Sequence, residues 1–121
     1  MIVSRLKSFG HALRGGVMML KTQPNARIHL AATLAVVAAG VGWRISSGEW
    51  ALVLLACGLV WLTEALNTAL EFLADEVSRE RREGIKRAKD VAAFAVLIAA
   101  FVAVGIGVVV FGPRVADFLW K

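Results

Sequence analysis

Glu64, Asn67, Glu71 and Asp75 follow one another at intervals of three, four and four residues. On a helix this spacing places all four on one face, about a turn apart. Carboxylates with an amide between them can do two kinds of chemistry. Their oxygens can hold a hard divalent cation together with the phosphates it carries, and one of them can take the proton of a hydroxyl group. The stretch that holds them is otherwise apolar enough to lie in a bilayer, where each ionisable side chain at helix centre costs about 2.5–3.5 kcal/mol and each Leu or Phe returns only about 0.3–0.6 kcal/mol. A row of acids kept at that cost reads as functional. Glu64, the deepest, is the candidate base for a hydroxyl near the interface, and Glu71, closer to the helix end, the candidate metal ligand. Lys89 and Asp90 open the next apolar run at the same level: Lys89 can offset phosphate charge, and Asp90 sits where a helix N-cap belongs. The competing structural readings are solvation at the interface for Asp75, Glu76, Glu80 and Glu83, and interhelical hydrogen bonding for Asn67.

The elements that must position these groups follow from the hydropathy pattern. The chain has 121 residues, 59% hydrophobic and 19% charged, and its apolar residues come in long runs, which argues bilayer rather than water. An all-α membrane protein is expected, with an N-terminal surface helix and three spanning helices. Residues 1–27 contain no Asp or Glu and carry Arg5, Lys7, Arg14, Lys21 and Arg27. Ile2, Leu6, Phe9, Leu13, Val17 and Leu20 recur at helical steps, so this segment reads as a basic amphipathic helix in the interface plane. Gly15 and Gly16 weaken it, with a bend or break expected there, and Pro24 marks the joint to the next element. The spans are placed at about 28–46, 49–75 and 90–112, in one domain covering 1–121. Ala31, Ala35, Ala39 and Gly42 in the first, and Ala92, Ala95, Ala99, Ala103 and Gly107 in the third, form small-residue faces suited to close helix contact. Trp50 anchors the start of the second span. Glu76 to Asp90 is read as a charged connection, and Pro113 as the end of the third span.

Orientation follows from the basic residues. Five lie in the N-terminal segment and six in the second connection, against Arg44 alone in the first connection and Arg114 and Lys121 in the tail. The N-terminus and the second connection are therefore expected on the cytoplasmic side, which holds ATP. The net charge of +5 sits beside hydrophobic runs, so it points to anionic head groups rather than nucleic acid. No cleaved signal peptide is expected. Cys57 is single, which excludes a disulfide framework, and His11 and His29 stand too far apart to suggest a transition-metal site. Neither a G-x-x-x-x-G-K-[ST] loop nor the glycine-rich loop of soluble kinases is present.

The run Glu64-Ala-Leu-Asn-Thr-Ala-Leu-Glu71, continued to Asp75, resembles the E-x-x-N-[ST]-A-[IL]-E-x-x-x-D signature of the prokaryotic integral-membrane diacylglycerol kinase family, which includes undecaprenol kinases. Ala88-Lys89-Asp90-Val91-Ala92-Ala93, followed by Ala95-Val96-Leu97, is similar to its second signature, A-K-D-x-[AG]-[AS]-x-A-V-L. Asn25-x-Arg27-Ile28-His29, Glu49-Trp50 and Phe111-x-Pro113-Arg114 match as well, so the likeness covers nearly the whole chain in order and spacing.

This resemblance implies a homotrimer in a bacterial inner membrane, with active sites shared between subunits. MgATP would be the donor and a membrane lipid alcohol, diacylglycerol or undecaprenol, the acceptor. It implies Glu64 as general base, Glu71 as ligand of metal and nucleotide, and Asn67 and Asp75 as residues that order the site. Glu80, Lys89 and Asp90 would contact the nucleotide. Two departures stand out. Gln23 replaces the Glu that usually precedes the N-x-R-I-H segment, so the metal would have one carboxylate fewer. His11 stands where Tyr is common, and the charged connection lacks the family's His-Pro-like element. From the residues alone, a small oligomeric proton- or ion-conducting protein is the alternative, because membrane carboxylates also serve as proton relays; a non-catalytic assembly scaffold is a third.

Overall fold

The computed structural model describes residues 1–121 as four helices: α1 (Ile2–Thr22), α2 (Pro24–Trp43), α3 (Ser47–Val77) and α4 (Glu83–Leu119). The last three are each long and apolar enough to cross a membrane. At 1.5 Å per residue they measure about 30, 46 and 55 Å, against about 30 Å of hydrocarbon. Thus α2 is just long enough to span, while α3 and α4 are longer than the hydrocarbon is thick. Only ten residues are buried. The apolar flanks of all three long helices face outward, as they do in a chain whose solvent is lipid or other copies of itself.

Each joint has a local cause. Gln23, extended at φ −112° and ψ 111°, ends α1, and Pro24 opens α2, where its missing N–H is no loss. At the other end of α2, Arg44 adopts the left-handed conformation (φ 53°, ψ 54°). The N–H of Ile45 bonds the Gly40 carbonyl at 3.1 Å and that of Arg44 the Val41 carbonyl at 3.3 Å, a Schellman closure. Ser46 then caps α3 reciprocally: its hydroxyl accepts from the Glu49 N–H at 3.2 Å, while its own N–H donates to Glu49 Oε1 at 3.0 Å.

The Glu49 carboxylate is also gripped by Arg114, with Nη1 to Oε2 at 2.6 Å and Nη2 to Oε1 at 2.9 Å. This bidentate pair ties the start of α3 to the end of α4. A small apolar core of Ile45, Val53 and Val110 lies beside it. Gly40 is buried against Trp50, so close that a Cβ would come within 2.6 Å of the ring.

Three expectations need correction. Asp90 is not a cap and the charged connection does not reach it: α4 begins at Glu83, seven residues earlier, and only 78–82 link α3 to α4. The charges that looked like a loop pair along the helix, Lys86 with Asp90 at 2.8 Å and Glu83 with Arg87 at 3.8 Å, at the spacing that supports an exposed helix. Pro113 does not end α4, which runs on to Leu119. In the same turn Arg114 Nη1 donates to the Val110 carbonyl at 2.6 Å. Finally, Gly15 and Gly16 do not break α1, which is continuous through both.

Candidate active site

The acid row lies along one face of α3, as its spacing requires. With Trp50 at one boundary, about 30 Å of hydrocarbon reaches Leu70. Glu64 then lies about 9 Å inside the opposite boundary, Glu71 on it, and Asp75 about 7.5 Å beyond. Burial changes in the same order. Glu64 is 1% exposed, Asn67 and Glu71 are half-buried, and Asp75 is exposed.

Glu64 is one of the two most enclosed large side chains in the molecule. Its Oε2 has no hydrogen-bond partner and lies 3.4 Å from Nε2 of His29, which faces it from α2. Asn67 Oδ1 and Thr68 Oγ1 are likewise buried without partners. Three unpaired oxygens within five residues form a concentration of unmet polar capacity that a folded chain normally avoids. It marks the place on α3 where a donor, a cation or a hydroxyl is wanted.

His29 is held in place by α3. Its ring meets that of Trp61 edge-on, with centroids 6.5 Å apart at 68°. The Trp61 indole N–H donates to Thr33 Oγ1 at 2.9 Å, and the Thr33 hydroxyl donates to the His29 carbonyl at 2.7 Å. On the membrane side of this network is a cavity of about 210 Å³ between α2, α3 and α4, with apolar walls such as Val36, Ala56 and Val104 and with His29 among its lining residues. On the other side a groove between α1 and α3 borders Thr68, with Gly15, Gly16 and Met19 on the α1 wall.

At the interface end, Asp75 Oδ1 accepts from Lys89 Nζ at 3.1 Å. The pair joins α3 to α4 across the connection, and being half exposed it contributes about 0–1 kcal/mol. Lys89 is thus at the end of the acid row. The Asp90 carboxylate is taken by Lys86 within its own helix. Glu80 is exposed in the connection, where its N–H donates to Ser78 Oγ at 3.1 Å. Gln23 is half-buried at the α1–α2 joint.

Sequence matches to known proteins bear on what this arrangement does. The model of the family described as prokaryotic diacylglycerol kinase matches residues 10–111, a stretch that contains α2, α3 and the full acid row. The chain belongs to the prokaryotic diacylglycerol kinase family. It is 37% identical over 108 residues to the undecaprenol kinase of Bacillus subtilis, a match covering 89% of this chain and 88% of that protein. It is 41% identical over 103 residues to the diacylglycerol kinase of Synechocystis sp., covering 84% of this chain but 59% of that longer protein. With the diacylglycerol kinase of Pseudomonas aeruginosa the identity is 30% over 94 residues, 78% of this chain and 76% of that one.

Membership makes the chain a lipid kinase, a transferase with ATP as co-substrate, and a bacterial membrane protein with three helices able to span. That decides against the proton or ion conductor and the scaffold. It also puts the Glu49–Arg114 contact in place: two family matches 65 residues apart are one ion pair, at the end of the bundle away from the acid row. Sequence reasoning did not single out His29, Thr33, Trp61 or Thr68 as site residues. The available signal was the four-residue step from His29 to Thr33 and the three-residue step from Trp61 to Glu64, which turn each pair to a common face.

Proposed function

We propose that the chain transfers the γ-phosphoryl group of MgATP directly and in line to the hydroxyl of a membrane lipid alcohol. Diacylglycerol would give phosphatidic acid, and undecaprenol undecaprenyl phosphate. The single observation that carries this reading is the graded burial of the row, from Glu64 enclosed at hydrocarbon depth to Asp75 in the interface. A water-soluble donor and a lipid-soluble acceptor meet at such a boundary.

The donor set suits the cation that accompanies ATP. Glu71 and the unpaired Oδ1 of Asn67 are hard oxygen ligands on one helix face. Among all the residues of the chain no three His, Cys, Asp or Glu gather as a cage, and Mg²⁺ at nucleotide sites characteristically uses one or two carboxylates and the phosphates instead. When bound, Mg²⁺ would neutralise charge on the phosphates. Glu71 would hold it, Asn67 and Asp75 would order the site, and Lys89, Asp90 and Glu80 would contact the nucleotide from the interface. Glu64 takes the hydroxyl proton as the alcohol oxygen bonds to phosphorus and the bond to the β-phosphate oxygen breaks, releasing ADP.

The remaining features of the reading rest on charge and exposure. The N-terminus and the α3–α4 connection are cytoplasmic, by the excess of Lys and Arg there. Helix α1 lies in the interface, where its exposed Ile2, Leu6, Phe9 and Leu13 can enter the head-group layer. The molecule works as a homotrimer with shared sites. Supporting this, α3 and α4 leave Leu54, Leu55, Leu62, Phe101 and Val104 open to neighbours.

The test is purified protein in liposomes, with γ-labelled ATP, Mg²⁺ and the two acceptors in parallel, and ion flux measured on the same preparation. Label in one of the lipids and no flux supports the reading. Flux without labelled lipid overturns it.

A further inference from the structure

We infer that His29 is the positioning residue for Glu64, its imidazole Nε2 holding Oε2 so that Oε1 faces the acceptor hydroxyl; this rests on the reading of Glu64 as the base. A carboxylate enclosed in apolar surroundings needs a donor, because a buried, uncompensated charge costs several kcal/mol. Among basic side chains Glu64 has one candidate. Nε2 of His29, at 3.4 Å, is the only basic side-chain atom within 4 Å of its carboxylate. No N–H···O bond is formed here: Nε2 is within reach of Oε2 without being aimed at it, and such a contact can align when substrate closes the site.

Three features make this more than chance proximity. First, the His29 ring is flanked: Trp61 stands edge-on to it, and the Trp61 indole bonds Thr33, whose hydroxyl bonds the His29 backbone carbonyl, so Trp61 is registered against the turn that carries His29. Second, the frame repeats the step of each helix, His29 to Thr33 on α2 and Trp61 to Glu64 on α3, so the imidazole and the carboxylate are presented by the same two faces. Third, His29 also lines the apolar cavity between α2, α3 and α4. The residue therefore stands between Glu64 and the hydrocarbon space, where an acceptor hydroxyl with a long tail is to be aligned. A carboxylate free to rotate would present either oxygen, or neither, to that hydroxyl; one held through Oε2 presents Oε1.

The experiment compares His29→Leu, His29→Gln and Glu64→Gln in the full chain. His29→Leu is expected to lower kcat about 10–100-fold with KM for ATP within about twofold of wild type. His29→Gln, whose amide N–H can reach the same oxygen, is expected to recover part of that loss. In the Glu64→Gln background, His29→Leu is expected to add nothing, since there is no base left to position. A readout independent of turnover comes from ¹⁵N-histidine NMR. The chain has two histidines, and the His29 imidazole signal should move on Glu64→Gln while that of His11, exposed on α1, stays. Wild-type kcat in His29→Leu beside an inactive Glu64→Gln overturns the inference and leaves the base assignment standing. Near-native turnover in Glu64→Gln overturns both. Equal losses in His29→Leu and His29→Gln, with an unmoved His29 signal, reduce the contact to helix packing and overturn the inference alone.

Discussion

Replacing Glu64 by Gln isolates the proton-accepting role, because the amide fills the volume of the carboxylate and leaves no cavity. A positioned base contributes about 10²–10⁴-fold, or about 2.7–5.4 kcal/mol of barrier. At 1% exposure, bulk hydroxide has no path to take over, so the full loss is expected in kcat. Stability should move the other way. A neutral amide removes a charge that costs about 2.5–3.5 kcal/mol at hydrocarbon depth, although part of that cost is already offset by His29 at 3.4 Å. The variant should therefore unfold at the same temperature as wild type or higher. The assay is kcat at saturating ATP and acceptor in mixed micelles, with nucleotide titration and thermal unfolding on the same preparation. Loss of turnover with nucleotide binding and stability preserved is the expected signature. Turnover within about threefold of wild type would refute the base, and a lowered unfolding temperature would show that Glu64 holds the helices together instead.

Gln23→Glu restores a carboxylate beside the α1–α2 joint, and the Mg²⁺ concentration for half-maximal activity should fall several-fold; an unchanged requirement would place Gln23 away from the cation. Gly40→Ala sets a Cβ 2.6 Å from the Trp50 ring, a cost of about 1–3 kcal/mol. It should lower the unfolding temperature in detergent while folded protein keeps its specific activity. Glu49→Gln and Arg114→Gln each break the bidentate contact between α3 and α4. Each should lower the unfolding temperature, and the double variant should lose less than the sum, a coupling read by thermal scans of the four proteins.

The order of elements and the shared face of Glu64, Asn67, Glu71 and Asp75 were legible because they depend on local periodicity and bilayer thickness, which a sequence displays directly. Boundaries were less so where two explanations share one signal. The charges from Glu83 to Asp90 suit a solvated loop or an exposed helix, and pairing at four-residue steps decides for the helix. Pro113 looks like a stop until the bidentate pair of Arg114 with Glu49, just beyond it, is seen to tie this part of α4 to α3. Contacts between helices were invisible for a different reason. His29 with Glu64, and Thr33 with Trp61, are separated by 35 and 28 residues, and no local spacing relates them. A resemblance could mark His29 as part of a motif without showing what it touches.

The central claim is a division of labour along one helix face, Glu71 toward the nucleotide's cation and Glu64 toward the acceptor's proton. Its most direct test is electron paramagnetic resonance of Mn²⁺, substituted for Mg²⁺, titrated with ATP into wild type, Glu71→Gln and Glu64→Gln. The account predicts ATP-dependent Mn²⁺ binding that weakens about tenfold or more in Glu71→Gln and survives in Glu64→Gln. Binding indifferent to Glu71, or lost with Glu64 instead, would contradict it.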